Sequence, residues 1–444
     1  MIAILYLLII SLFTADYLAF GLEVAPRIIT WVPDLLSGLL LLFVVLRVTR
    51  LRSLLIGPKY LVLGIFFALF IAIGAVINAE PSGPVFAGLR SYFRYLPVFL
   101  IPAVYDVSER DMRRVFSLFL VLCLLQAPVA FYQRFFAFSN LQTGDVIVGT
   151  LLISSDLTIV LYGAMAMLFA FYLKGQVAKW VFFMSMPVLF LPTAINETAV
   201  SIFLLPLAVF LPVLLLRDGN RIRRLVPMAL IGIVLGGAFL AVYSTLYTER
   251  WQALFASGGA IEYSYRGATE ESRTGDGKEM SEIGRIDSFV LPFKLQRDPV
   301  LLLSGLGIGN VSDSFTEHFT GAYYEEYGPL AAGMTTASLM IWEIGLIGLG
   351  FSLIFLAFIF FDARALGTLP GLAGAVGIGW AAVCVMIGLL LAYKNLIAPG
   401  VIGYPMFLLS GYVASKRQIY MPAQTRKHGL EYAGRAHGTP EVLR

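Results

Sequence analysis

Thr248-Glu249-Arg250-Trp251 opens, and Tyr323-Tyr324-Glu325-Glu326-Tyr327 nearly closes, the one long polar stretch of this chain, residues 248–335. Arg266, Arg273, Arg285 and Arg297 fall between them. On both sides the sequence is almost continuous hydrocarbon. Chemistry is therefore expected where this stretch meets the apolar blocks that flank it.

Hydrophobic residues make up 59% of the 444 residues and charged residues 14%, with a mean hydropathy of +0.83. A soluble domain carries about 25% charged residues, so the composition is that of an all-α polytopic membrane protein. The 34 phenylalanines and 21 tyrosines suit lipid-facing surfaces and interfacial belts. Cys123 and Cys384 both lie inside apolar runs and read as small core residues. A net charge of +4 is too small to argue for nucleic acid.

A membrane-spanning helix needs roughly 20 apolar residues. Runs of about that length, some shorter, lie near 1–20, 31–47, 60–78, 95–105, 115–134, 151–173, 179–195, 199–216, 225–247, 336–361, 371–391 and 397–415, about twelve spans. The run at 95–105 is short and holds Pro97 and Pro102. Only Asn196-Glu197-Thr198 separates 179–195 from 199–216. The first run has neither a basic n-region nor a small-residue cleavage pattern and reads as a retained helix. Every second short turn is basic, and most of the 32 lysines and arginines fall in those turns and the tail. That bias puts both termini in the cytoplasm and 248–335 on the far side. Four parts follow: a block of about nine spans (1–247), the outer loop domain (248–335), a block of about three spans (336–415) and a basic tail (416–444). The tail reads as disordered and drawn to anionic lipid.

Within the long stretch, 246–255 continues the preceding span as an amphipathic helix, and 257–277 reads as a mobile surface segment. Ile283, Ile286, Val290 and Phe293 recur at helical spacing, with Arg285 on another face. Pro292 is expected to kink that helix, and Pro299 to end it by Asp298. Ser304-Gly305-Leu306-Gly307-Ile308-Gly309-Asn310 departs from the dinucleotide fingerprint, because Asn310 stands in place of the third glycine. It predicts a tight turn whose backbone packs closely against another element.

Arginines collect on the far side. Arg90 and Arg94 share a helix face, Arg134 ends an outward span, and Arg266 and Arg285 come from the loop. Any one of them could simply snorkel to headgroups. Together, outside the region that favours positive charge, they suggest an anionic lipid headgroup, since guanidinium grips phosphate bidentately. Asn196 and Glu197 sit between two spans with almost no loop, either as a tight polar turn or facing a cavity. No Walker loop, no DxD motif and no metal-ligand spacing occurs. The substrate is thus expected to arrive activated, with no metal or cofactor.

Several stretches resemble the O-antigen ligase/polymerase superfamily. They are Gly284-Arg285-Ile286-Asp287-Ser288, Pro299 with Gly305-Leu306-Gly307-Ile308-Gly309, and Trp342-Glu343-Ile344-Gly345-Leu346-Ile347-Gly348-Leu349. Gly88-Leu89-Arg90-Ser91-Tyr92 and Gln142-Thr143-Gly144-Asp145 with Gly149-Thr150 are similar to its exopolysaccharide polymerase branch. The resemblance implies a GT-C-like, lipid-dependent glycosyltransferase at the periplasmic face of the bacterial inner membrane. Its members move glycan from undecaprenyl pyrophosphate to an acceptor sugar, and a chain-length regulator or flippase would be the protein partner. Polymerases extend a chain, whereas ligases deliver it to lipid A core. Arginines 90, 94, 266 and 285 are expected to hold the diphosphate, and Glu343, Glu326 or His318 to orient or deprotonate the acceptor. Many members carry a histidine where this chain has Met334-Thr335-Thr336, so that base is not carried over. A lipid-linked glycan transporter or a structural subunit of an export complex would account for the spans as well. The transporter explains the long charged loop poorly, because no internal repeat accompanies it.

Overall fold

Hydrocarbon offers a peptide group no hydrogen-bond partner, so each apolar run satisfies its own backbone by forming a helix. The computed structural model describes residues 1–444 except 52–53, 79–80, 142, 217–220, 256–270, 274–278, 282–283, 297, 315–316, 329–331 and 437–444. The N-terminal half contains α1 (Ile2–Asp16), α2 (Val32–Val48), α3 (Pro58–Ile77), α4 (Ser82–Phe93), α5 (Leu96–Val104), α6 (Glu109–Leu124), α7 (Gln126–Tyr132), α8 (Ser154–Leu173), α9 (Lys179–Ile195), α10 (Ser201–Leu215) and α11 (Arg221–Leu246). Then follow α12 (Thr248–Phe255), α13 (Arg285–Leu295), α14 (Pro299–Ser304), α15 (Tyr324–Tyr327), α16 (Thr336–Leu366), α17 (Gly371–Leu390) and α18 (Gly400–Ala436).

Among the described residues, eight helical stretches are long and apolar enough to cross a bilayer: Ile2–Gly21, Arg27–Val48, Pro58–Ile77, Glu109–Ala137, Ser154–Leu173, Leu225–Leu246, Thr336–Leu366 and Gly371–Leu390. The fold is that of a helical, polytopic membrane protein. The runs at 179–195 and 199–216 form the shorter α9 and α10, and the proline-bearing run at 95–105 forms the nine-residue α5. The last helix starts in the final apolar run and continues to Ala436, into the segment that composition alone marks as a disordered tail. Among the described residues the all-α expectation is departed from by a short antiparallel pair, β1 (Glu271–Arg273) with β2 (Glu279–Ser281). It falls partly within the segment expected to be a mobile surface stretch.

Contacts sort the turns into two ends. At one end Lys59 and Tyr60 donate to Asp362 at 2.8 and 2.6 Å, Lys416 pairs with Asp106 at 2.5 Å, and Lys174 donates to the Leu369 carbonyl at 2.9 Å. At the other end Tyr404 donates to Asp34 at 2.7 Å, Lys394 pairs with Asp156 at 2.5 Å, and Asn78 donates to the Gly305 carbonyl at 3.4 Å. The first end holds the basic turns of the sequence; the second holds the described part of 248–335. In α8 and α17, 83% of the central window is buried, against 11% for α3 and α11. The first two are core and the other two present their faces to lipid.

The long stretch does not pack by itself. Leu306, Val311 and Ala332 form one apolar cluster with Trp342 of α16, and Leu291, Leu301 and Tyr327 lie against it. Pro292 lies within α13. Pro299 opens α14, its missing N–H placed where the first turn needs none, and Asp298 caps that helix by accepting from Val300 at 2.8 Å. The same proline thus separates one helix from the next and starts the second.

Candidate functional site

The glycine turn and the Trp342-Glu343-Ile344-Gly345 stretch form one unit. Gly345 has φ +65°, which breaks α16 inside its apolar length. Carbonyls freed by the break accept from the turn: Leu306 N–H donates to Trp342 at 2.8 Å and Gly307 N–H to Glu343 at 2.9 Å. Irregular backbone inside an apolar layer is tolerated where protein partners satisfy it in this way. The approach requires glycine. A Cβ on Gly305, itself at φ +81°, would stand 2.4 Å from the Glu343 carbonyl carbon, and one on Gly309 would stand 2.1 Å from the Pro84 carbonyl oxygen. Gly88 of α4 meets the turn from the other side, 2.6 Å from the Gly309 nitrogen by the same measure. Glu343 is buried, accepts from Ser312 Oγ at 2.6 Å, and is surrounded by the amides of Gly309 and Val311 and the Tyr92 hydroxyl. Its carboxylate therefore holds the turn to the broken helix.

A row of charged side chains runs across the same end of the molecule. Arg90 Nε donates to Asp34 Oδ2 at 2.9 Å, and its guanidinium lies over the Trp31 ring at 4.2 Å. Arg94 stands 3.8 Å from Asp34 and donates to the Tyr95 hydroxyl at 2.5 Å and to the Ile397 carbonyl at 3.0 Å. Asp16, in the last turn of α1, is within charge reach of both Arg94 and Asp156, and its carboxylate makes no side-chain hydrogen bond among the described residues. A single π turn, Tyr17–Gly21, follows it. Lys394 bridges Asp156 at 2.5 Å and Ser155 Oγ at 2.6 Å. Arg285, at the start of α13, lies over the neighbouring Tyr393 ring at 4.3 Å. Burial, followed by the nearby Arg285 charge, holds the Lys394 ammonium below the ordinary lysine range, and Asp156 opposes that shift.

A second group adjoins the first through the start of α8. Glu197, at φ +59°, accepts from the Gly144 amide at 2.6 Å and from Thr143 Oγ1 at 3.0 Å. Asn196 donates to the Ser154 carbonyl at 3.1 Å and to Thr158 Oγ1 at 2.6 Å. Arg134 lies over Tyr247 at 5.1 Å and donates to the Leu141 carbonyl at 3.1 Å. Gln133 and Gln126 pin the same loop, accepting from Gly149 N–H and Thr150 N–H at 2.8 Å each. Asn196 and Glu197 thus shape the 143–154 loop rather than facing lipid.

Arg94 and Arg285 belong to one charged row, with Arg90 at its far end. His318 and Glu326 stand apart from it. His318 is exposed, and its backbone carbonyl packs on Gly83 at the start of α4. Glu326 is exposed beside Tyr327, whose hydroxyl is pushed up first by burial and then by that carboxylate. Tyr327 stacks on Trp342 at 4.4 Å. Arg266 lies outside the described residues.

An apolar cavity of about 440 Å³ opens between α3, α4–α5, α16 and α18, and Tyr95, which accepts from Arg94, is part of its lining. Tyr92, Tyr95, Thr336, Leu396 and Ile397 line its upper part, and Tyr60 and Phe355 its lower part. Arg94 sits in sequence between the lining residues Phe93 and Tyr95. Among the described residues no three His, Cys, Asp or Glu side chains gather as a metal site.

Four members of the row, Asp16, Asp34, Asp156 and Lys394, were not singled out in the sequence. Their signal was there: Asp16, Asp34 and Asp156 interrupt or border apolar runs, and an ionisable residue at such depth marks a site by default. Their pairing was not visible, because Tyr404 and Asp34, or Lys394 and Asp156, are hundreds of residues apart. No protein-family model matches the chain, and no curated protein matches it.

Proposed function

We propose that the chain is a polysaccharide polymerase of GT-C-like architecture, joining oligosaccharide repeat units carried on undecaprenyl pyrophosphate at the outer face of the bacterial inner membrane. The observation that carries this reading is one juxtaposition: cationic Arg94, Lys394 and Arg285 gather at one end of the bundle, and Tyr95, Leu391, Leu396 and Ile397, close to Arg94 and Lys394 in the chain, line an apolar cavity of about 440 Å³. A polyprenyl diphosphate has the same two parts, an anionic head and a hydrocarbon tail. The basic turns at the opposite end support placing that end in the cytoplasm.

In this reading an acceptor hydroxyl attacks the anomeric carbon of the lipid-linked glycan, the glycosidic carbon–oxygen bond to the diphosphate breaks, and the configuration inverts. Negative charge grows on the leaving diphosphate, and fixed cations lower the barrier by meeting it there. The acceptor proton passes to a carboxylate at the same end. Asp16 suits that role, since its oxygens carry no hydrogen bond among the described residues, whereas those of Glu343 are taken up by the turn. Purified protein in nanodiscs, given lipid-linked repeat units, should lengthen them without added nucleotide, and a chelator should leave the rate unchanged. Gene deletion should abolish polymer while single repeat units persist. Persistence of full-length polymer lacking only its attachment to lipid A core would mark a ligase instead.

A further inference from the structure

The ammonium of Lys394 is placed unlike the arginines around it. It belongs to the short 391–399 turn between α17 and α18, and that turn is tied down from several directions. Thr336 donates to the Lys394 carbonyl from both its amide, at 3.1 Å, and its hydroxyl, at 2.9 Å. Leu396 N–H returns a bond to Thr336 Oγ1 at 2.8 Å, and Asn395 N–H bonds the Met334 carbonyl at 3.0 Å. The side chain then reaches across to α8, where the Asp156 carboxylate pairs with the ammonium at 2.5 Å and Ser155 Oγ accepts one of its hydrogens at 2.6 Å. An ammonium has three, and the side chain keeps 13% of its surface open. Its neighbours in the turn, Leu391, Leu396 and Ile397, line the apolar cavity, and Arg285 stacks on the adjoining Tyr393.

We propose that Lys394 and Arg285 together clamp the diphosphate group of the lipid-linked substrate, with Asp156 and Ser155 acting as positioning residues that aim the lysine. This rests on the transferase reading above and assigns its diphosphate subsite to a lysine–arginine pair in place of arginines alone. Two like charges held close in a partly dry site repel one another, and a doubly charged anion between them converts that repulsion into attraction. Arginine supplies a planar fork to two oxygens, while lysine acts as a compact point charge.

The pair also carries a pH signature. Charged groups facing Lys394 are Asp156 from α8 and Arg285 from α13, and Asp156 in turn acts on Asp16 of α1. Since the ammonium is held below the ordinary lysine range, it loses its proton as pH rises through that lowered value, while arginine stays charged. Diphosphate affinity should therefore fall on the alkaline side before any arginine titrates.

The test uses the full chain in phosphatidylcholine nanodiscs, with inorganic pyrophosphate, farnesyl diphosphate and farnesol as probes, read by calorimetry. Farnesyl diphosphate should bind more tightly than either half of it. Lys394→Gln should weaken both phosphorylated probes about 10- to 100-fold and leave farnesol unchanged. Lys394→Arg should keep the affinity at neutral pH and flatten the alkaline loss. Because Lys394→Gln leaves Asp156 without its cation, the double variant Asp156→Asn/Lys394→Gln serves as a neutral pair of similar shape, and it should show the same weakening. Diphosphate binding that survives both variants within about twofold, or an alkaline loss that persists in Lys394→Arg, overturns the clamp alone. Wild-type protein that binds farnesol and farnesyl diphosphate equally would sink the transferase reading along with it.

Discussion

In the proposed reaction the chemistry would rest on single side chains, Arg285 and Asp16 foremost. The guanidinium of Arg285 lies over the Tyr393 ring, 4.3 Å from its centroid, a cation–π contact. Arg285→Ala should slow transfer by roughly 100- to 1000-fold, and Arg285→Lys should recover little of that, in an assay with lipid-linked repeat units at equal folded protein. A change of only a few-fold for Arg285→Ala would move the clamp to other residues. Asp16→Asn keeps the shape and removes the base, so turnover should fall about 100-fold while farnesyl diphosphate still binds. Loss of binding and turnover in parallel would show that Asp16 shapes the site rather than accepting a proton. Glu343 belongs to another class of residue. Replacing it with alanine strands Ser312 and two buried amides, at a cost of about 3 kcal/mol or more, read as a drop in the thermal midpoint with no distinct effect on chemistry.

At the scale of elements, the glycine turn was legible before any coordinates, because three glycines in alternation serve little purpose other than close backbone approach. What the turn approaches was not legible. Hydropathy draws Thr336–Leu366 as one apolar run, and only the positive φ of Gly345 reveals the break that receives the turn. Gly305→Ala should accordingly fail, since its Cβ would meet Glu343 backbone and its φ suits glycine alone. Gly333→Ala, with nothing within 4 Å, is the matched control and should leave yield and melting unchanged. Equal folded yields for the two variants by size-exclusion chromatography in detergent would contradict the docking described here. The helix of Arg285 was likewise readable from its apolar stripe. The pairing of Lys394 with Asp156 was not, because nothing local links two helix ends that meet only in the folded bundle.

For the whole molecule, composition announced a membrane protein at once but could not say which helices are inside it. Lipid is as apolar as a protein core, so hydropathy does not rank burial: α3, at a mean hydropathy of 2.8, is nearly bare, and α17, at 2.1, is nearly enclosed. The polar stretch shares its apolar cluster with Trp342 of a membrane helix. Residues 248–335 expressed alone should therefore lack a cooperative thermal transition. Reporter fusions belong at this scale too: one after residue 220 should read cytoplasmic and one near residue 275 periplasmic. Two reporters on the same side would refute the proposed orientation.

The break in α16 also bears on how the chain is made. In the proposed topology, synthesis delivers the glycine turn across the membrane before the helix it will dock against has left the ribosome. That helix enters the bilayer with the Trp342 and Glu343 carbonyls lacking the two amides that finally bind them. Each unmet group in hydrocarbon costs several kcal/mol, so at insertion an unbroken helix is the cheaper form. In that topology the kink at Gly345 is acquired late, when the waiting turn closes on the newly inserted span, and this end of the molecule matures only after its last third has been translated.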